Sequence, residues 1–160
     1  SSPSRGLGDV YKRQRCHCFW YTSDVKAILL AIAPSAMVEC LVDQMTRGLK
    51  ALDIQVALAE PLTDYVNLLH KWNTPYNLTA VRRPEDMVIK HVLDSLTLVP
   101  HLTSSKRLCD VGTGAGLPGI PLALSFPDKE FALLDSNGKK TRFLYQVRQQ
   151  LRLDLSLIHI

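Results

Sequence analysis

The stretch Cys109–Pro121, CDVGTGAGLPGIP, decides the fold. An apolar pentapeptide, RLCDV (107–111), leads into three glycines at 112, 114 and 116. Glycines so spaced let the backbone turn sharply and present bare N–H groups where side chains would block a ligand. Pro118–Ser125 then reads as the start of a helix, and EFALLD (130–135) as a second strand. Strand, crossover helix and parallel strand make a βαβ unit. Asp135 closes the second strand, nineteen residues after Gly116. In doubly wound sheets an acid at that place accepts hydrogen bonds from ribose hydroxyls. A nucleoside ligand is therefore expected.

Two ligands fit the spelling. Gly114, Gly116 and Gly119 match G-x-G-x-x-G, which on its own points weakly to a nicotinamide dinucleotide and an oxidoreductase. Asp110 argues the other way, because it stands two residues before the first glycine. A buried carboxylate beside a pyrophosphate is costly. It suits a ligand with a cationic amino-acid tail and no phosphate, S-adenosylmethionine. The competing reading of Asp110 is a loop carboxylate that caps nearby backbone amides.

Outward from the loop, Ser136–Leu151 reads as a basic helix burying Phe143, Leu144, Val147 and Leu151. Upstream the grammar is helical. Residues 38–52 repeat apolar side chains at spacings of three and four. Glu60–Trp72 places Leu62, Tyr65, Val66, Leu69 and Trp72 on one face. NTPYNLTAVRRP (73–84) reads as a polar loop bounded by prolines, and 84–99 as a third helix that Pro100 cannot continue. Only two strands of a larger sheet are expected.

Both ends look foreign. DVYKRQ (9–14) is encoded by GATGTGTATAAGAGACAG, and LSLIHI (155–160) by the reverse complement of that string. The string resembles the ends of transposon adapters used in sequencing libraries, so both hexapeptides are expected to be translated adapter. Lys26 followed by AILLAIAPSA imitates a secretory signal, but Asp24 spoils its basic flank and the helical pattern begins at Met37, the expected native start. The expected organisation is a non-native 1–36, a helical region 37–105, the first βαβ part of the nucleoside-binding domain 106–154, and an adapter-derived tail 155–160.

The formal charge of +4 carries little information, because residues 37–154 hold 14 Lys and Arg against 13 Asp and Glu. Whole-chain basicity is no argument for nucleic acid. The 160 residues are 46% hydrophobic and 21% charged, with no apolar run of membrane-spanning length. Four cysteines show no disulfide framework, and Cys16-His17-Cys18 has no second ligand pair, so no metal site is expected. A reducing, cytoplasmic setting follows.

HKWNTPYNLTAV, KHVLDSL, DVGTGAGLPGIPLA, LLDS and GKKTRFL, in this order, resemble the ribosomal RNA small-subunit methyltransferase G family, also called GidB. The resemblance covers roughly Met37–Asp154. It implies an α/β fold, with an N-terminal helical extension and a Rossmann-like S-adenosylmethionine-dependent methyltransferase domain, here truncated. It implies methylation of N7 of a guanine in 16S ribosomal RNA, by a protein expected to be monomeric. By matching positions, Gly112 and Leu117 would contact the donor, and Asp135, Ser136 and Asn137 would hold its ribose and adenine side. Ala115 stands where many members have proline, a harmless change. The later strands, which supply further adenine contacts and much of the RNA-facing wall, fall outside the sequence, so the fragment is expected to be inactive.

Guanine N7 has a free lone pair and no proton to lose, so transfer to it needs alignment and no general base; no catalytic side chain is expected. RNA contact would come from Arg82 and Arg83 and from Lys139, Lys140 and Arg142, the bland alternative being solvated charge. Trp72 and Tyr76 could stack bases, although core packing is the commoner use of such a Trp. His91, near Asp94, reads as a satisfied packing histidine. A non-catalytic RNA-binding module is the remaining alternative.

Overall fold

The computed structural model describes residues 40–160. The readings placed on 1–36 and on Met37, including Cys16-His17-Cys18 and the apolar segment after Lys26, lie outside the described residues. Helix α1 (Leu41–Ala51) buries Met45 and Leu49, the stripe its spacing foretold. A short 3₁₀ turn (Val56–Leu58) leads into α2 (Ala59–Tyr76). Helix α2 runs past its expected end at Trp72 and takes Pro75 into its last turn. That proline has no N–H to donate to the carbonyl four residues back, so the last turn forgoes one backbone bond. Asn77, left-handed at φ 52°, stops the helix.

The polar loop that follows is organised by buried Asn73. Its Nδ2 donates to Val81 O (2.9 Å) and its Oδ1 accepts from Thr79 N (2.9 Å). The third helix, α3, begins as Pro84–Met87, widens to a π-helical turn over Val88–Leu93 and closes as Asp94–Leu96. A 3₁₀ turn containing Pro100 (Val99–His101) follows.

The sheet begins with β1 (Arg107–Val111), followed by the glycine loop and α4 (Gly119–Ser125). Then come β2 (Glu130–Asp135), α5 (Gly138–Gln150) and β3 (Leu155–His159). The strand order is β1-β2-β3 and both pairings are parallel. Parallel strands joined by crossover helices are the βαβ arrangement of Rossmann-like sheets.

The expectation of two strands is corrected here: Leu155–His159 forms a third, pairing Phe131 with Leu155 and Asp135 with His159. With β1 on one side, the other edge of β2 offers unpaired N–H and C=O groups. The tail supplies the alternation a strand needs, with Leu155 buried and Leu157 partly so between exposed Ser156 and Ile158.

One apolar core joins the helices to the sheet. Tyr65 and Leu69 of α2, Met87 of α3, Ile120 of α4, Leu133 of β2 and Phe143 and Leu144 of α5 all belong to it. The connection from α3 to β1 is held by Lys129, whose ammonium donates to the carbonyls of Leu102, Thr103 (3.0 Å) and Ser105 (2.7 Å). It also lies 4.5 Å from the centre of the Phe126 ring. No helix among the described residues is long and apolar enough to cross a membrane.

Candidate nucleoside site at the glycine loop

The loop leaves the carboxyl end of β1, where ligands bind in open α/β sheets. Gly112 sits at φ +76°, and a Cβ placed on it would meet no atom within 4 Å. The space beside its Cα is open, but the expectation of bare N–H groups is corrected: Gly112 N donates to Leu134 O (2.8 Å), Gly114 N to Asp135 Oδ2 (2.8 Å) and Gly116 N to Thr113 O (2.9 Å). Gly119 does the opposite job: an added Cβ would lie 2.3 Å from Leu133 Cδ2 and 2.8 Å from Asp110 Oδ2. It is the point where α4 presses on β1 and β2.

Asp135 is buried, 7% exposed, at the end of β2. Its Oδ2 accepts from Gly114 N (2.8 Å) and its Oδ1 from Asn137 N (2.7 Å). A carboxylate has about four acceptor positions, so two backbone bonds leave roughly as many for a ribose diol. Asn137 caps α5 by accepting from Lys139 N (3.0 Å). Ser136 is exposed, and its carbonyl lies 3.2 Å from His159 Nε2. Leu117 is partly buried beside the loop.

Asp110 is partly buried, and both of its hydrogen bonds converge on Oδ2, from Thr113 Oγ1 (2.6 Å) and Gly119 N (3.0 Å). The capping reading thus describes one of its oxygens. Burial holds its carboxyl above the ordinary carboxylate range, and the charge of Asp135 adds to the rise while the two hydrogen bonds oppose it. The consequence for ligand choice is electrostatic. The N–H at the start of α4, which a pyrophosphate would use, is already taken by a negative side chain.

Two supports escaped the sequence reading. Tyr65 of α2, fully buried, donates its hydroxyl to Ala115 O (2.8 Å), fastening the helical region to the loop across fifty residues. Burial, and then Asp110, drive its phenol far above the usual range. Buried Thr113 ties the loop to Asp110. Each shows in sequence only as a polar tip on an otherwise apolar or glycine-rich run.

The basic residues fall on two elements. Arg82 and Arg83 are exposed before α3, Arg82 bonding Asn77 Oδ1 and Arg83 pairing with Glu85 (3.4 Å). Lys139 and Arg142 are exposed on α5, whereas Lys140 turns inward, its Nζ 3.7 Å from where a Gly114 Cβ would stand. Trp72 packs on the core beside Phe143 and stacks on Tyr76 at 5.1 Å.

His91 is satisfied at both nitrogens. Its Nε2 faces Thr79 Oγ1 (2.8 Å), and its Nδ1 faces Lys90 O (3.2 Å). A carbonyl can only accept, so Nδ1 carries the proton and Nε2 accepts from Thr79. Burial lowers its pKa, which keeps the ring neutral. Among the described residues, no group of three or more His, Cys, Asp or Glu could hold a metal ion.

A parallel sheet with crossover helices and a glycine loop at the carboxyl end of its first strand define a Rossmann-like α/β protein. Residues 58–160 match the family described as rRNA small subunit methyltransferase G, GidB. Relatives carry the same description. That of Pseudomonas paraeruginosa (strain DSM 24068 / PA7) is 48% identical over 128 residues, covering 78% of this chain and 60% of the relative. That of Pseudomonas syringae pv. syringae (strain B728a) is 55% identical over 109 residues, 68% of this chain and 50% of the relative. That of Saccharophagus degradans is 55% identical over 107 residues, 64% and 48%. The chain belongs to the GidB family. It spans between about half and 60% of the length of these relatives.

Proposed function

We propose that the protein, at its relatives' length, transfers a methyl group from S-adenosylmethionine to N7 of a guanine in 16S ribosomal RNA. The observation that carries this is the pair of carboxylates around the loop. Asp135 keeps acceptor capacity for a ribose, and Asp110 occupies the amide a diphosphate would need. Both favour a nucleoside with a cationic tail over a dinucleotide. The family membership supports the same reading.

Asp135, Ser136 and Asn137 would hold the ribose and adenine side of the donor. Gly112, Gly114, Gly116 and Leu117 would lie along its length, and the free oxygen of Asp110 would face its ammonium. When bound, S-adenosylmethionine supplies a methyl carbon activated by the neighbouring sulfonium. The chain's own task is alignment, since N7 releases no proton. Arg82, Arg83, Lys139 and Arg142 would meet RNA phosphates, working in a cytoplasmic setting on ribosomal RNA or its small-subunit precursor.

Calorimetric titration of the protein at its relatives' length with S-adenosylhomocysteine and with NAD ranks the readings. Binding of the first and none of the second is expected. Tight NAD binding alone would sink the proposal.

A further inference from the structure

A cleft of about 300 Å³ opens between α3 and the Leu117–Pro118 turn, lined by Lys90, His91, Asp94, Ser95, Thr97, Leu98, Leu117 and Pro118. One wall is the glycine loop's own exit, so whatever enters the cleft lies next to the donor site. Leu98, Leu117 and Pro118 make that wall apolar, suited to a flat ring.

The polar groups of the lining are accounted for, with one exception. Lys90 pairs with Asp86 (3.6 Å). Both His91 nitrogens are engaged. Ser95 Oγ donates to His91 O (2.5 Å), and Thr97 Oγ1 to Asp94 O (2.6 Å). Among the described residues, no hydrogen bond or ion pair satisfies the Asp94 carboxylate. It stands exposed at the mouth of the cleft, yet partial desolvation raises its pKa against the opposing pull of His91. The π-helical turn of α3 lies immediately before it, a distortion that often accompanies functional sites.

We infer that this cleft receives the target guanine, turned out of its RNA, with the two oxygens of Asp94 accepting from the base's N1–H and N2 amine. The inference rests on the methyl-transfer reading above. Enzymes that act on a base commonly extrude it and read its Watson–Crick edge. Guanine offers two adjacent donors on that edge, the complement of a carboxylate, whereas adenine turns an unprotonated N1 to it. N7 lies on the opposite side of the purine, so a base gripped this way keeps its nucleophile free. The neutral, doubly bonded His91 serves as wall and takes no proton.

The test uses the protein at its relatives' length, saturated with S-adenosylhomocysteine, titrated with 5′-GMP or 5′-AMP and followed by amide NMR. GMP should shift the amides of His91, Ser95 and Leu98, and AMP should not. Asp94→Asn should weaken GMP binding about tenfold or more, the usual scale for losing a bidentate base contact. It should leave S-adenosylhomocysteine affinity and the melting temperature unchanged. Leu98→Trp, which fills the cleft, should abolish the GMP shifts and spare the donor. Equal binding of AMP, wild-type GMP affinity in either variant, or no GMP binding while S-adenosylhomocysteine binds would each overturn the inference. Failure of S-adenosylhomocysteine itself to bind refutes the methyl-donor reading, and this inference falls with it.

Discussion

Asp110→Asn separates the two uses of that carboxylate. Both of its internal hydrogen bonds end on one oxygen, and an amide oxygen can accept both. The bonds lose charge assistance, which makes a hydrogen bond roughly twice as strong. Against a neutral bond worth about 1 kcal/mol, that is a loss of about 2 kcal/mol over the two. Removing a charge that burial and Asp135 both disfavour offsets much of it. The expected change in stability is within about 1 kcal/mol, a few degrees in melting temperature. The donor should notice far more. Losing a charged contact to its ammonium costs about 1.5–3 kcal/mol, or roughly 10- to 100-fold in affinity. Calorimetry with S-adenosylmethionine and thermal melts of the same samples read both quantities. Unchanged donor affinity, together with a stability loss above about 3 kcal/mol, would reduce Asp110 to a loop cap.

Gly119→Ala should cost about 1–3 kcal/mol, read as a lower urea midpoint, because its Cβ would run into Leu133 and Asp110; an unmoved midpoint would contradict the close packing of α4. His91 is held neutral by burial; the hydrogen bond to the Lys90 carbonyl and the charge of Asp94 raise its pKa, and the Lys90 ammonium lowers it, around that dominant effect. Its folded pKa lies below the ordinary 6.5, so the unfolded chain takes up the proton first as the solution is acidified. Stability should then fall as pH drops through about 6.5 toward the folded value, and His91→Gln should flatten that dependence in urea titrations; identical slopes would refute it.

The sequence made the βαβ unit around the glycine loop readable because its signals are local. An apolar run ending in Asp110, glycines two apart and an acid at the end of EFALLD each impose their conformation within a few residues. The three upstream helices were equally plain from apolar spacing. What stayed hidden depends on contacts made across the chain. The extension of α2 through Pro75 is held by Asn73 reaching Val81 and Thr79. The Tyr65 anchor spans fifty residues to Ala115. The π-helical turn of α3 has no period of its own in VIKHVL, and β3 exists because β2 offers it an edge. Asp110 shows the middle case: its position was legible, and the division of its two oxygens was not.

Lys129 has a mechanical consequence. By grasping three carbonyls of the connection between α3 and β1, it removes the slack that a six-residue HLTSSK segment would otherwise give. Tyr65 provides a second rivet on the far side of the loop. A load placed on the helices would therefore pass straight to the glycine turn through these two fastenings.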